Sequence, residues 1–407
     1  MGWTAAAQIT SNSSNFLLTI LVARSVGATE LGTFAALMAA SGLAIGVVRA
    51  WASEPMIFRE RVVDSLEAKN HHASVVAVTA TIGTVIGGFL CVLVFVATKN
   101  PILAAVFGVS LPFAVTQDAV RFVLVDAGRA RLAFGTELAW VAVQSSAILA
   151  IGSSAPLSGM LAAWGLGAAT SVAVGVVNIG TPTEFRDLAD WVRKVRRVSP
   201  VYMVDFLVAG GINQVVVFVI AATAGLEAAG YLRAAQLLLM PLTIFTLSMS
   251  FALAPEVTRA ARSDNPGRLV RIPILYSSAI ALIALVCVGV SDFLPIDTMS
   301  QLMGESVHGG VEVLPYAAIA LAVAGISVGP GLVLRALGRV RASMVVKIVA
   351  APVTLIAVAV AATAGGAIGS QIGLAFGTAL RAAASGVLML RATSSVRDPR
   401  RKNEAPH

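Results

Sequence analysis

Apolar runs of about twenty residues follow one another along almost the whole chain, parted by short polar breaks, and about twenty mostly apolar residues are what a helix needs to cross a bilayer. Twelve such runs are read, at 4–23, 32–51, 73–97, 101–125, 132–152, 157–177, 201–224, 228–253, 272–290, 311–334, 342–362 and 368–390. An unpaired backbone amide is costly in lipid, so each crossing is expected to be a whole helix. The pattern predicts an all-α polytopic membrane protein of about twelve spans. The first run starts almost at Met1, with no positive segment before it and no small-residue cleavage site, and is read as a retained helix rather than a signal peptide.

Composition agrees with lipid as the solvent. The 407 residues are 57% hydrophobic and 12% charged, whereas soluble chains carry roughly a quarter charged residues. Lys and Arg number 29 against 21 Asp and Glu, but they fall in alternate loops, which argues for topology rather than for a nucleic-acid partner. One side receives Arg59, Arg61, Lys69, Arg129, Arg131, a cluster from Arg186 to Arg197, then Arg259, Arg262, Arg268, Arg271, Arg339, Arg341 and the tail. The other side holds little beyond Arg24, Lys99 and Arg233 and carries Asp292, Asp297 and Glu305. Both termini are therefore expected in the cytoplasm.

The longest charged connection divides the chain. The expected organisation is a six-helix lobe over 1–180, an amphipathic cytoplasmic linker helix over 181–200, a second six-helix lobe over 201–391 and a basic tail over 392–407. Thr181, Pro182 and Glu184 have the spacing of a capping box with proline at the first helical position. Phe185, Leu188, Trp191, Val192, Val195 and Val198 recur at helical period opposite Arg193, Lys194, Arg196 and Arg197, as suits a helix lying on an anionic leaflet. Asn15, Gly27 and Gly32 are echoed at identical spacing by Asn213, Gly225 and Gly230, and Gly128-Arg129-Ala130-Arg131 by Gly338-Arg339-Val340-Arg341. These echoes predict two parallel repeats related by an axis along the membrane normal.

Several chemistries find no residues here. No glycine loop ending in Gly-Lys-Ser/Thr and no His-Glu-x-x-His occurs, the four histidines lack clustered ligand partners, and Cys91 and Cys287 each sit within an apolar run as free thiols. Neither enzyme activity, nor a metal, nor a cofactor is expected. Polar groups within spans are functional candidates because lipid makes them expensive. They include Asn15 in the first span, Asp205 and Asn213 in the seventh, Arg233 and Gln236 in the eighth and Arg381 in the twelfth, with Arg24 closing the first. Gln117, Asp118, Arg121 and Glu137 stand in the fourth and fifth. Asp118 and Arg121 can pair three residues apart on one helix face, which leaves a structural ion pair and a substrate contact both open. Guanidinium suits phosphate, so Arg24, Arg233 and Arg381 point to an anionic substrate, with snorkelling to an interface the alternative for Arg24 and Arg233.

Residues 21–27, Leu-Val-Ala-Arg-Ser-Val-Gly, followed by Glu30-Leu31-Gly32-Thr33-Phe34, resemble the segment after the first helix of polysaccharide flippases, the lipid-linked oligosaccharide exporters of the multidrug/oligosaccharidyl-lipid/polysaccharide (MOP) superfamily. Residues 230–236, Gly-Tyr-Leu-Arg-Ala-Ala-Gln, with Pro241 after them, and the stretch from Asp118 to Trp140 are similar to further family segments. The resemblance implies a V-shaped two-lobed bundle in the bacterial plasma (inner) membrane that flips a polyprenyl-diphosphate-linked oligosaccharide by alternating access. It implies that Arg24, Arg233 and Arg381 neutralise the diphosphate and that Asn15, Asn213 and Gln236 bind sugar, while coupling is left open, with Asp118, Arg121, Glu137 and Asp205 the residues to test for coupling or gating. The implied partners are the lipid-linked substrate, membrane lipids, a coupling cation and other polysaccharide-assembly proteins. A drug/cation antiporter of the same superfamily and a non-transporting scaffold for polysaccharide assembly are the alternative readings.

Overall fold

The computed structural model describes residues 2–397 apart from 58–64, 153–154, 181–184, 241, 244–245, 247–252, 254–255, 262–265, 292 and 294–295. The chain is all-helical, without a strand among the described residues, and is a multi-pass membrane protein. Its helices are α1 (Gly2–Ser25), α2 (Ala28–Met56), α3 (Ser65–Thr98), α4 (Pro101–Asp126), α5 (Ala130–Ile151), α6 (Leu157–Ile179), α7 (Phe185–Val195), α8 (Ser199–Thr223) and α9 (Leu226–Leu238). They continue with α10 (Pro266–Ser291), α11 (Ile296–Met303), α12 (Ser306–Ala336) and the stretch Val340–Arg397. That last stretch departs from helical geometry at Gly365 and Gly366, so it is two helices, α13 (340–364) and α14 (367–397).

Nine stretches among the described residues are long and apolar enough to cross a membrane, and the last of them contains both α13 and α14. The expected first span is α1, which is 24 residues long. The eighth begins as α9, and most of its second half lies outside the described residues.

The chain divides into two compact units, the first Met1–Glu30 with Phe34–Gln214 and the second Leu31–Thr33 with Val215–His407. The division falls within α8. In the first unit α4 is the central helix, packed against α3 and α6, with α5 on α6 and α1 on α5. The start of α1 is held by Trp3, which lies 5.4 Å from the Phe134 ring with the Arg131 guanidinium 5.6 Å from its own ring. Where α3 meets α4 the backbones approach closely, since a methyl on Gly87 would stand 2.5 Å from the Gly108 carbonyl oxygen. In the second unit α12 is the hub, touched by α9, α10 and the α13–α14 pair.

The linker helix packs part of its apolar stripe against protein. Trp191 and Val195 of α7 are buried in one apolar cluster with Met56, Val75, Val120 and Val123, and Leu188 and Val192 pack against it. The middle of the linker's apolar stripe is thus met by protein, while Val198, Arg193, Arg196 and Arg197 remain exposed. Lys194 Nζ lies 3.0 Å from His71 Nε2 of α3, and Ser199 Oγ donates to the Trp51 carbonyl at 2.6 Å. The capping box at residues 181–184 lies outside the described residues.

The second internal echo has a backbone counterpart. Gly128 and Gly338 take φ of 75° and 74° at the ends of α4 and α12. In each turn the glycine N–H bonds three residues back at 3.0 Å, to Val125 and Arg335, and the following arginine N–H bonds five back at 2.8 Å, to Leu124 and Leu334. This is the glycine-terminated cap that satisfies the last carbonyls of a helix. Nothing stands within 4 Å of a methyl built on either glycine, so only the left-handed backbone opposes substitution. Gly128→Ala and Gly338→Ala are each expected to lose about 1 kcal/mol in denaturant unfolding in detergent, and the pair about 2 kcal/mol if the turns act independently. A loss in one variant only would show that the two turns are not equivalent.

Candidate functional site

Charge is gathered inside the first unit at the ends of α2 and α4. Five residues of α2, Arg49–Ser53, form a π-helical turn. Such a turn inserts an extra residue and re-aims the side chains around it, and it recurs at functional sites. Arg49 donates from Nε to Asp118 Oδ2 at 2.7 Å and from Nη2 to Oδ1 at 2.6 Å, a fork matched to a carboxylate. Its guanidinium also lies 5.2 Å from the centre of the Phe122 ring. Arg121, one turn beyond Asp118, donates from Nη2 to Asp118 Oδ1 at 2.7 Å.

The network continues into α5. Arg121 Nη1 lies 3.6 Å from Glu137 Oε1, and Gln117 Nε2 donates to the same oxygen at 2.6 Å. Asp118 and Glu137 are buried, their side chains 6% and 1% exposed, whereas Arg49 is 30% exposed and opens the cluster on one side. Glu54 of α2 stands at the margin, close enough to interact with Arg49, Asp118 and Asp205 of α8. The structure therefore brings Asp118, Arg121, Glu137 and Asp205 into one neighbourhood. Two guanidiniums and two buried carboxylates compensate one another there, which leaves no uncompensated cation in the centre for a diphosphate.

Arg49 was not among the sequence candidates. Its signal was a guanidinium three residues inside the end of an apolar run, a place where snorkelling to the interface is the ordinary explanation. The π-turn also has a counterpart in α8 at Leu207–Gly211. Those two helices pack closely, because a methyl on Gly42 would meet Gln214 and one on Gly46 would meet the Phe206 ring.

The remaining candidates are spread more widely. Arg24 and Asn15 are exposed on α1, and Asn213 is exposed on α8, all three in the first unit. Arg233 and Gln236 are half-buried one turn apart on α9 in the second unit, where Arg381 is half-buried on α14. The α9 helix touches the Val340–Arg397 stretch that carries Arg381. Arg381 makes no ion pair among the described residues, and its Nε is buried without a hydrogen-bond partner there. No group of three or more His, Cys, Asp or Glu suited to a metal ion occurs among the described residues.

No protein-family model matches the chain, and no curated protein matches it. Solved structures do. The lipid II flippase MurJ in an inward closed conformation superposes with a TM-score of 0.71 at 11% identity, over 97% of this chain and 90% of that one. An inward-facing multidrug resistance MATE family transporter of the MOP superfamily gives 0.69 at 15% identity, over 97% and 96%. A MOP superfamily transporter from Pyrococcus furiosus, described as having a binding pocket of reverse polarity that suggests a different function, gives 0.58 at 17% identity, over 97% and 95%. At these identities the likeness is one of fold.

Proposed function

We propose that the chain is a transporter that flips a polyprenyl-diphosphate-linked oligosaccharide across the plasma membrane by alternating access, for cell-surface polysaccharide synthesis. Arg381 carries the reading. A guanidinium inside an apolar helix, with its Nε buried and unbonded among the described residues, is costly in lipid unless an anion compensates it. In this mechanism Arg24, Arg233 and Arg381 hold the diphosphate, Asn15, Asn213 and Gln236 bind sugar, and the polyprenyl chain stays in lipid. The cluster of Asp118, Arg121, Glu137 and Asp205, with Arg49, serves coupling or gating, since protonating or ion-pairing a buried carboxylate there would release its arginines.

The likeness to MurJ supports a lipid-linked substrate and the likeness to MATE transporters supports a drug/cation antiporter, the second reading. A reconstituted-liposome assay separates them, following a fluorescent polyprenyl-diphosphate oligosaccharide beside a cationic dye. Movement of the lipid-linked sugar is expected, and the Arg233→Ala, Arg381→Ala double variant should lose about tenfold or more of the initial rate. Movement of the dye alone would replace the flippase by the antiporter.

A further inference from the structure

We propose a second lipid-binding site, independent of the transport reading: the cleft between α10 and α14 holds an anionic glycerophospholipid of the leaflet on the arginine-rich side. The cleft has a volume of about 700 Å³, and both its walls are polar at one end and apolar at the other. On α10 the lining runs Gly267, Val270, Arg271, Ile274 and Leu275, with Arg271 one turn before the exposed apolar pair on the same helix face. On α14 the order is reversed, Leu390 coming before Thr393 and Ser394. The α10 helix leads away from the arginine-rich side and α14 leads back to it, so the reversed orders put both polar ends together.

The chemistry of the two ends matches the two parts of a phospholipid. Ile274, Leu275 and Leu390 are 56%, 58% and 53% exposed, an open apolar slot along which an acyl chain can lie. Arg271, the one charged residue of the lining, is exposed and makes no ion pair among the described residues. Among the described residues no carboxylate lines the cleft. Thr393 and Ser394 donate to the carbonyls of Leu390 and Arg391, each at 3.0 Å, so their hydroxyl hydrogens are spent on the helix and the Arg271 guanidinium is left to hold the phosphate. A soluble anion would use Arg271 alone and leave the apolar slot idle. A lipid with a net negative headgroup uses the whole lining, and basic pockets between membrane helices on this side hold such headgroups.

Native mass spectrometry of the full chain in neutral detergent, titrated separately with phosphatidylglycerol and phosphatidylcholine, tests the site. The first bound lipid should show about a tenfold preference for phosphatidylglycerol, the scale that one or two arginines at a membrane surface supply. Arg271→Gln should bring that preference to about twofold or less while leaving the unfolding temperature unchanged, because the side chain is exposed and unpaired. Leu390→Trp, which fills the slot but keeps every charge, should weaken both lipids. Equal binding of the two lipids would overturn the proposal, as would a preference that survives Arg271→Gln. Displacement of the lipid by millimolar inorganic phosphate, with Leu390→Trp indistinguishable from the parent chain, would also overturn it in favour of a soluble anion.

Discussion

Asp118→Asn is expected to lower the unfolding free energy by about 3 kcal/mol, the cost of leaving a buried ionic partner uncompensated. Asp118 accepts both forks of Arg49 and a third bond from Arg121, all between 2.6 and 2.7 Å, and asparagine keeps the shape while removing the charge. The Arg49→Met, Asp118→Leu double variant should recover part of the loss, since it removes both charges and leaves Arg121 its second carboxylate, Glu137. Denaturant titration in mixed micelles, run on the singles and the double, reads the coupling directly. A loss below about 1 kcal/mol for Asp118→Asn would mean that the cluster is solvated and contributes little to folding.

The second large effect is expected at the last two helices. A methyl on Gly373 would stand 2.6 Å from the carbonyl carbon of Ala357 and 2.8 Å from the Cα of Val358. Those are backbone atoms, so relief requires the helices to part rather than a side chain to turn. Gly369 meets the Ala361 backbone in the same way and Gly377 meets the Cα and side chain of Thr354, which makes a stripe along which α13 and α14 approach closely. Gly373→Ala should cost about 3 kcal/mol by the same micelle titration, at the upper end of what overpacking costs. Gly386 lies in the same helix with nothing within 4 Å of a methyl, and Gly386→Ala should be neutral or slightly stabilising. Equal behaviour of the two variants would remove the stripe as the reason the pair packs.

What could be read in the sequence followed from how local its cause was. The apolar runs announced nearly every crossing, because a helix in lipid must satisfy its own backbone over twenty consecutive residues. The Asp118–Arg121 pair was legible as a spacing of three, and the two Gly-Arg-x-Arg turns as a repeated word with a common backbone demand. Arg49 was not legible as their partner. Sixty-nine residues part it from Asp118, and no property of Arg49 alone distinguishes a buried fork from a side chain that reaches for the interface. The linker helix posed the same difficulty in another form. Its apolar stripe is equally suited to lipid and to protein, and the neighbouring surface formed by Val75, Val120 and Val123 decided for protein over its middle. For Arg24, Asn15 and Asn213 the sequence supplied the residue type, while exposure at each position came from tertiary packing.

The break at Gly365 and Gly366 bears on how the chain is made. Only these two residues interrupt helical geometry within an apolar stretch of 55 residues, so the insertion machinery meets α13 and α14 with no charged loop between them to mark a stop. If α13 were released into lipid first, the carbonyls of Ala357 and Ala361 would face acyl chains where the bare glycines of α14 are meant to lie. The two helices are therefore expected to enter the bilayer together, as one hairpin.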